Sequence, residues 1–451
     1  MRDLRDFLER VKKERSTDLI EIEREVEPRF ESTAILIKFE ERQRSPVLFF
    51  KNMKGSKYPV VSNVCGSQGR IALALGCSLR EISTRYAEGI HAQIKPIVVK
   101  NAPVHENVAV GTEVNLFSFP KLVHHEYDAD TPYLTAAIGV ARDPETGHFN
   151  LSFHRLMVAG RNRTGILIEP GKQLDRIYQK YRKANQAMPI AFFIGAHPLW
   201  TLGALYSGPA EEYDVIGGLL KEPLLIVECI TQPGLFIPAG AEISLEGTVA
   251  PEELMDEGPF GEWPGFSTGV TKTPVFHVSA MTTRNNPIFQ DVVSGHTEHL
   301  ILEVPAIEYR ALNNARAVAP GVTAVSLVAP MTSVVALKKS SDNEPKLIMD
   351  ALLKTDIQAK HLIVVDADVH IGDLREVFRA VGLNTQATQD VYIYPNEQGT
   401  SLDPSCTSPQ AKTAKMGIDA TRSIQPTRRI VPNSVPADVL NSIDVTEFLK
   451  R

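Results

Sequence analysis

The chain has 451 residues, 43% of them apolar and 23% charged, which is the texture of an ordinary globular protein long enough for two or three domains. Its formal net charge is −6 and it contains no Lys/Arg block, so it offers no electrostatic footprint to nucleic acid or to an anionic membrane, while small anions stay open as ligands. No apolar run reaches the roughly 18–20 residues of a membrane span, and the opening MRDLRDFLERVKKER is a charged amphipathic stretch without a signal-peptide core, so a cytosolic protein is expected.

In chain order, Leu4, Phe7, Leu8 and Val11 recur at helical spacing, DLIEIEREV reads as a strand, and a second helix is predicted over residues 30–39. The strand candidates PVLFF and YPVVSNV complete a small α/β unit over residues 1–112. Residues 113–318 change to short β-branched or aromatic runs punctuated by Gly and Pro, such as YLTAAIGVA, LIVECI and PVFHVSAM, which predict a barrel or packed β-layer. The helical stretches QLDRIYQKYRKA and EYDVIGGLLK interrupt them, so this unit is mixed.

Residues 319–451 alternate strand and helix: TAVSLVA, VVALK, helical PKLIMDALLK, HLIVVDADV, helical DLREVFRAVG and DVYIYP. That order predicts a second α/β unit on a partly parallel sheet. A polar loop over residues 396–410 follows, and PADVLNSIDVTEFLK reads as a last helix whose apolar face needs cover, for example from a second subunit. Cys65, Cys77, Cys229 and Cys406 match no zinc spacing and are expected as free thiols.

The most informative segment for chemistry is residues 256–266, DEGPFGEWPGF. Glu257 and Glu262 stand either side of Gly-Pro-Phe-Gly, which cannot continue a helix, so they sit on a tight turn whose glycines let backbone approach a ligand. Two neighbouring carboxylates repel, which raises one pKa and lets that group hold a proton near neutrality. A surface turn with two solvated acids is the plain alternative.

In residues 150–155, NLSFHR, a regular strand puts Asn150, Ser152 and His154 on one face and Arg155 on the other. Polar groups on both faces point to a ligand on one side, or else to an edge strand facing water. GILIEPGKQ resembles a phosphate loop but has five residues between its glycines and Gln173 after Lys172, so nucleoside triphosphate binding is excluded. Lys172 still lies near a predicted helix N-terminus, where an anion is welcome. His296 and His299 in SGHTEHL lack a third ligand at zinc spacing, so a histidine touching substrate is the better reading. His124 and His125 read as loop residues.

NLSFHR, EEYDVIGG, CITQPGLFIPAGAEISLEG, EGPFGEWPGF and MGIDAT, in this order across nearly the whole chain, resemble the UbiD family of decarboxylases. The resemblance implies a split β-barrel related to flavin reductases, flanked by N-terminal and C-terminal α/β units, the latter an oligomerisation domain of a homodimer or a hexamer. It implies reversible non-oxidative loss of CO2 from an aromatic, heteroaromatic or other α,β-unsaturated acid, through a covalent bond to prenylated FMN. A flavin prenyltransferase would supply that cofactor. Carbanion formation at an sp2 carbon needs such an electron sink, because no side chain provides one.

By the same resemblance, Asn150 and Glu212 hold Mn2+ or Mg2+, often with K+, against the flavin phosphate. The family's third ligand, a histidine, is replaced here by Lys172 or Gln173, so Lys172 is expected to meet the phosphate as a point charge. Thr135, Ser152, Phe153 and Arg155 are further cofactor contacts. Arg155 pairs with Glu257 and steers the substrate carboxylate, Glu262 protonates the carbon, and His296 faces substrate, which favours an aromatic or heteroaromatic acid. A flavin-free hydrolase using Glu257 and Glu262, and a non-catalytic subunit of a multi-component carboxylase, are the competing readings.

Overall fold

The computed structural model describes residues 2–448, except 357, 401, 409, 426–432 and 434. Helix α1 (Leu4–Glu14) is opened by Asp3, whose carboxylate accepts the Asp6 N–H, and it buries the four residues that periodicity selected. Strand β1 (Leu19–Val26) pairs parallel with β2 (Val47–Met53), with α2 (Glu31–Glu40) between them in the chain. Strand β3 (Val60–Ser62) pairs antiparallel with β2.

The central unit is a closed barrel of six antiparallel strands. They are β4 (Tyr133–Arg142), β5 (Phe149–Gly160), β6 (Arg163–Ile166), β7 (Met188–Ile194), β8 (Ile243–Glu257) and β9 (Thr271–Thr283), in the order β8-β7-β4-β5-β6-β9, with β9 pairing back to β8. Closure removes exposed edges; Phe192 and Phe276 meet edge to face, 4.9 Å apart, on one face of the wall, while Phe193 points the other way, onto Trp200. Helices α3 (Gln173–Lys183) and α4 (Glu212–Leu220) interrupt it where the pattern predicted helix. The strands are longer than the short apolar runs suggested, reaching 15 residues in β8. Pro251 breaks that run in the sequence, but it lies where the β8–β9 register shifts between Val249 and Leu254, so the ladder asks no N–H of it.

Strand β10 (Phe289–Asp291) leaves the barrel region and pairs parallel with β3, sewing the two units together. Helices α5 (Thr297–Leu302) and α6 (Val304–Val318) follow. The periodicity reading did not include α6, although Pro305 in its first turn and buried Ile307, Ala311 and Ala315 at four-residue intervals are its signal. The last sheet has the order β11 (Val322–Ala329), β12 (Thr332–Leu337), β13 (His361–Asp366), β15 (Lys412–Ala420), β14 (Val391–Gln398). Its central pairs, β12–β13 and β13–β15, are parallel and its edge pairs antiparallel, the partly parallel arrangement expected. Helices α7 (Glu344–Leu353) and α8 (Leu374–Asn384) connect these strands.

The C-terminal segment departs from the single helix predicted: a short helix, Ala437–Asn441, and a 3-10 turn, Val445–Phe448, are separate, and Val439, Leu440 and Ile443 are exposed. All four cysteines are free. Among the described residues, no helix is long and apolar enough to cross a membrane.

Candidate active site

The centre of β5 is open. Ser152, Phe153, His154 and Arg155 are half-buried while Leu151 and Leu156 on either side are buried. Opposite them, the β4–β5 register shifts between Leu134 and Ala137, so that Thr135 and Ala136 face Arg155 alone. Such a bulge re-aims side chains locally. It lets the Tyr133 hydroxyl reach Glu257 Oε1 at 3.1 Å while the Thr135 hydroxyl, two residues on, reaches Asp291 Oδ1 at 2.6 Å.

Arg155 brings the two distant glutamates together. Its Nη2 donates to Glu257 Oε2 at 2.8 Å and its Nη1 donates to Glu262 Oε1. The guanidinium also lies over the Phe260 ring, 5.4 Å from its centroid, and Phe260 stacks on Tyr133 at 4.0 Å. Glu257 ends β8 with its side chain 1% exposed, and Glu262 follows a turn that Gly258 opens at φ +96°. A Cβ on Gly258 would lie 2.7 Å from the Gly269 carbonyl oxygen, so only glycine fits this corner. Burial pushes the Glu262 carboxyl above its ordinary range; Arg155 and the Trp263 N–H oppose that shift, and Glu257 adds to it.

At the other end of β5, consecutive acids at the start of α4 clamp the strand. Glu211 accepts the Phe149 N–H at 3.1 Å, and Glu212 Oε1 accepts the Asn150 amide N–H at 3.3 Å. Ser152 Oγ donates to Asn150 Oδ1 at 3.2 Å and lies 2.7 Å from His154 Nε2, so Asn150, Ser152 and His154 share the face that the two-residue period assigned them. Glu212 is 2% exposed, and its second oxygen, Oε2, is buried without a partner among the described residues. Burial pushes this carboxyl up to about 8. Lys172 caps α3 as predicted, but it and Gln173 are exposed, with Lys172 3.9 Å from Glu169.

Residues 295–299 look back at this site. Gly295 (φ +73°) packs so tightly against Gly265 and the Glu262 carbonyl that a Cβ there would lie 2.7 Å from Gly265 Cα. Beyond it, His296 bonds through Nδ1 to Glu40 of α2 at 2.8 Å and stacks parallel on His125. His299 takes the Gly295 N–H on Nδ1 at 3.3 Å, and burial together with the nearby Arg155 charge holds its pKa down at about 4.

Three family models cover the chain in order: the 3-octaprenyl-4-hydroxybenzoate carboxy-lyase N-terminal domain over residues 11–88, its Rift-related domain over 96–297 and its C-terminal domain over 304–420. Anhydromevalonate phosphate decarboxylase of Methanosarcina mazei is 31% identical over 93% of this chain and 96% of its own. The chain belongs to the UbiD family.

Phenolic acid decarboxylase of Sedimentibacter hydroxybenzoicus, another UbiD relative, is 32% identical over 99% of this chain and 96% of its own. Among solved structures, the UbiD-class enzyme HmfF from Pelotomaculum thermopropionicum in complex with FMN superposes with a TM-score of 0.90 at 33% identity, covering 99% of this chain and 100% of that one. An evolved dimeric form of HmfF was solved with prFMN, at a TM-score of 0.87, 31% identity and coverage of 99% and 100%. The Methanosarcina mazei and Sedimentibacter hydroxybenzoicus relatives are decarboxylases by name.

The donors at the α4 end suit a hard divalent cation, since the buried Glu212 Oε2 lacks a partner and the Asn150 amide lies beside it. No histidine among the described residues completes the set. Among the described residues, no group of three or more His, Cys, Asp or Glu is placed to hold a metal. Thr135 is committed elsewhere, since its hydroxyl donates to Asp291 and accepts the Val292 N–H at 2.9 Å. Tyr133, Phe260 and Trp263, whose buried Nε1–H has no partner among the described residues, were not among the residues singled out. Tyr133 and Phe260 stand close to selected residues in the sequence, but only the bulge and the turn bring Tyr133 onto Glu257 and Phe260 under the Arg155 guanidinium.

Proposed function

We propose that this chain removes CO2 from an aromatic or heteroaromatic carboxylic acid, reversibly and without net oxidation, with prenylated FMN as cofactor and a flavin prenyltransferase as its supplier. The observation that carries the reading is the Arg155 fork joined to both Glu257 and Glu262, buried beside an open stretch of the barrel wall. Asn150 and Glu212 would hold the divalent cation at the flavin phosphate, with Lys172 as a point charge at the mouth. The prenylated flavin, when bound, supplies the electron sink that no side chain offers.

The chain's own groups supply the rest. Arg155 pairs with Glu257 and presents a planar donor surface suited to the substrate carboxylate. The Tyr133 hydroxyl donates to Glu257 and accepts the Gly258 N–H at 3.2 Å, which fixes that carboxylate at the end of β8. Glu262, more exposed than Glu257 and raised in pKa, carries the proton that replaces CO2 on the carbon. His296, at the wall of the same turn, faces the ring of the substrate and favours an aromatic acid.

The test is co-expression with a flavin prenyltransferase, followed by a screen of aromatic, heteroaromatic and acrylic acids, and of phosphorylated aliphatic acids, for CO2 release. Release from ring acids is expected. Turnover confined to the aliphatic acids would overturn the substrate class, and a flavin-loaded protein inert toward every acid would overturn the activity.

A further inference from the structure

We infer that Glu40 is a positioning residue that fixes the tautomer of His296, so that the imidazole offers a hydrogen-bond acceptor to a substrate bearing a ring hydroxyl or ring N–H. The inference rests on the reading above that His296 faces the substrate, and it adds what that face demands of the ligand.

Glu40 closes α2, in the N-terminal unit, far from the catalytic turn in sequence. Its Oε2 lies 2.8 Å from His296 Nδ1, and its Oε1 accepts both the Thr297 N–H at 2.9 Å and the Thr297 hydroxyl at 2.6 Å. Three bonds leave this carboxylate little freedom, and they favour its ionised form; burial opposes them, but its pKa stays below the ordinary value. An ionised carboxylate only accepts, so the shared proton sits on His296 Nδ1. A neutral imidazole protonated there carries its lone pair on Nε2.

The neighbouring ring repeats the pattern. His125 lies parallel to His296 at 3° with centroids 5.8 Å apart, and its Nδ1 is 3.1 Å from Asp128 Oδ2. The other Asp128 oxygen accepts the Gly261 N–H at 3.1 Å, one residue before Glu262. Each imidazole thus hands Nδ1 to a buried or half-buried carboxylate, and neither Nε2 has a partner among the described residues. A site wall lined with two such acceptors suits a ligand that brings a donor. It leaves the methyl ether of the same ligand with no partner for its oxygen.

Two measurements on the flavin-loaded enzyme decide the matter. In 15N-histidine magic-angle-spinning spectra, with His296 assigned by its loss in His296→Asn, we expect a protonated Nδ1 and an unprotonated Nε2. Glu40→Gln, which can donate to Nδ1, is expected to shift that pattern toward Nε2–H, and Glu40→Asp to retain it. In kinetics, Glu40→Gln should lower the ratio of kcat/KM for a ring-hydroxylated acid over its methyl ether roughly tenfold, the order of one hydrogen bond, with flavin absorbance unchanged. A protonated Nε2 in the parent, or a Glu40→Gln enzyme with unaltered spectrum and unaltered ratio, would overturn the inference. If the parent turns over no ring acid at all, the substrate reading beneath it falls, while the spectra still decide the tautomer separately.

Discussion

Glu262 and Glu257 have the same side chain and share one arginine, yet their surroundings divide the labour. Glu257 is sealed at the end of β8 by Arg155 and Tyr133, whereas Glu262 keeps some exposure and a raised pKa. A proton donor must hold its proton at the working pH, and burial moves the Glu262 pKa in that direction. Because its pKa is raised, the protonated form persists above the usual carboxylate range and is lost as pH rises through the shifted value. The rate of the chemical step should therefore fall on the alkaline side, and a single-turnover pH profile tests this. Glu262→Gln should keep flavin absorbance and lose at least about 100-fold in kcat, the low end of general acid catalysis. A variant as fast as the parent would assign the proton to another group. Asn150→Ala, by contrast, should strip visible absorbance from the purified protein, since it removes the amide bonded to Glu212 Oε1, next to an Oε2 that has no partner among the described residues.

At the scale of elements, what could be read in the sequence depended on whether a regular period held. The two-residue period of β5 put Asn150, Ser152 and His154 together and sent Arg155 the other way, as their hydrogen bonds do. The period fails at the β4 bulge, where Thr135 and Ala136 share one partner, and no residue there announces it. Thr135 thus turned out to bond Asp291, and Tyr133 to bond Glu257. Helix α6 was missed because its buried face is mostly alanine, too weakly apolar to stand out from the polar residues between. The catalytic turn was legible because glycine and proline state their own backbone needs. Gly258→Ala tests that statement: φ +96° and a Cβ 2.7 Å from the Gly269 oxygen should cost about 1–3 kcal/mol and displace Glu257. A lower thermal midpoint and at least tenfold slower turnover are expected, while Gly269→Ala, with open space around its Cβ, should leave both near the parent values.

At the scale of the whole molecule, a buried carboxylate is among the groups that fasten the N-terminal unit to the barrel. Asp291 on β10 lies 3.1 Å from His124 Nε2, accepts Thr135 of β4 at 2.6 Å and accepts Ser62 of β3 at 3.3 Å, while His124 Nδ1 lies 2.9 Å from the Thr33 hydroxyl of α2. His124 and His125 were expected as plain loop residues, but His124 is 3% exposed and sits at this junction. Burial works against the charged imidazole, yet Asp291 outweighs it and holds the His124 pKa above its ordinary value; burial also works against the Asp291 carboxylate, and His124 and the hydroxyls hold its pKa below the usual range. The signs follow from linkage. The raised histidine contributes stability that is full below its unfolded pKa of about 6.5 and is lost as pH rises through the folded value. The depressed aspartate contributes stability that is full above about 3.9 and is lost as pH falls through its folded value. Both contributions are present together between about pH 4 and 6.5. Asp291→Asn breaks a buried pair and should cost about 3–5 kcal/mol in that window. The gap in thermal midpoint between parent and variant, followed from pH 5 to 9, is expected to be widest at the acid end and to narrow as His124 loses its proton. A gap that stays constant or widens with pH would mean that the junction is held by neutral hydrogen bonds alone.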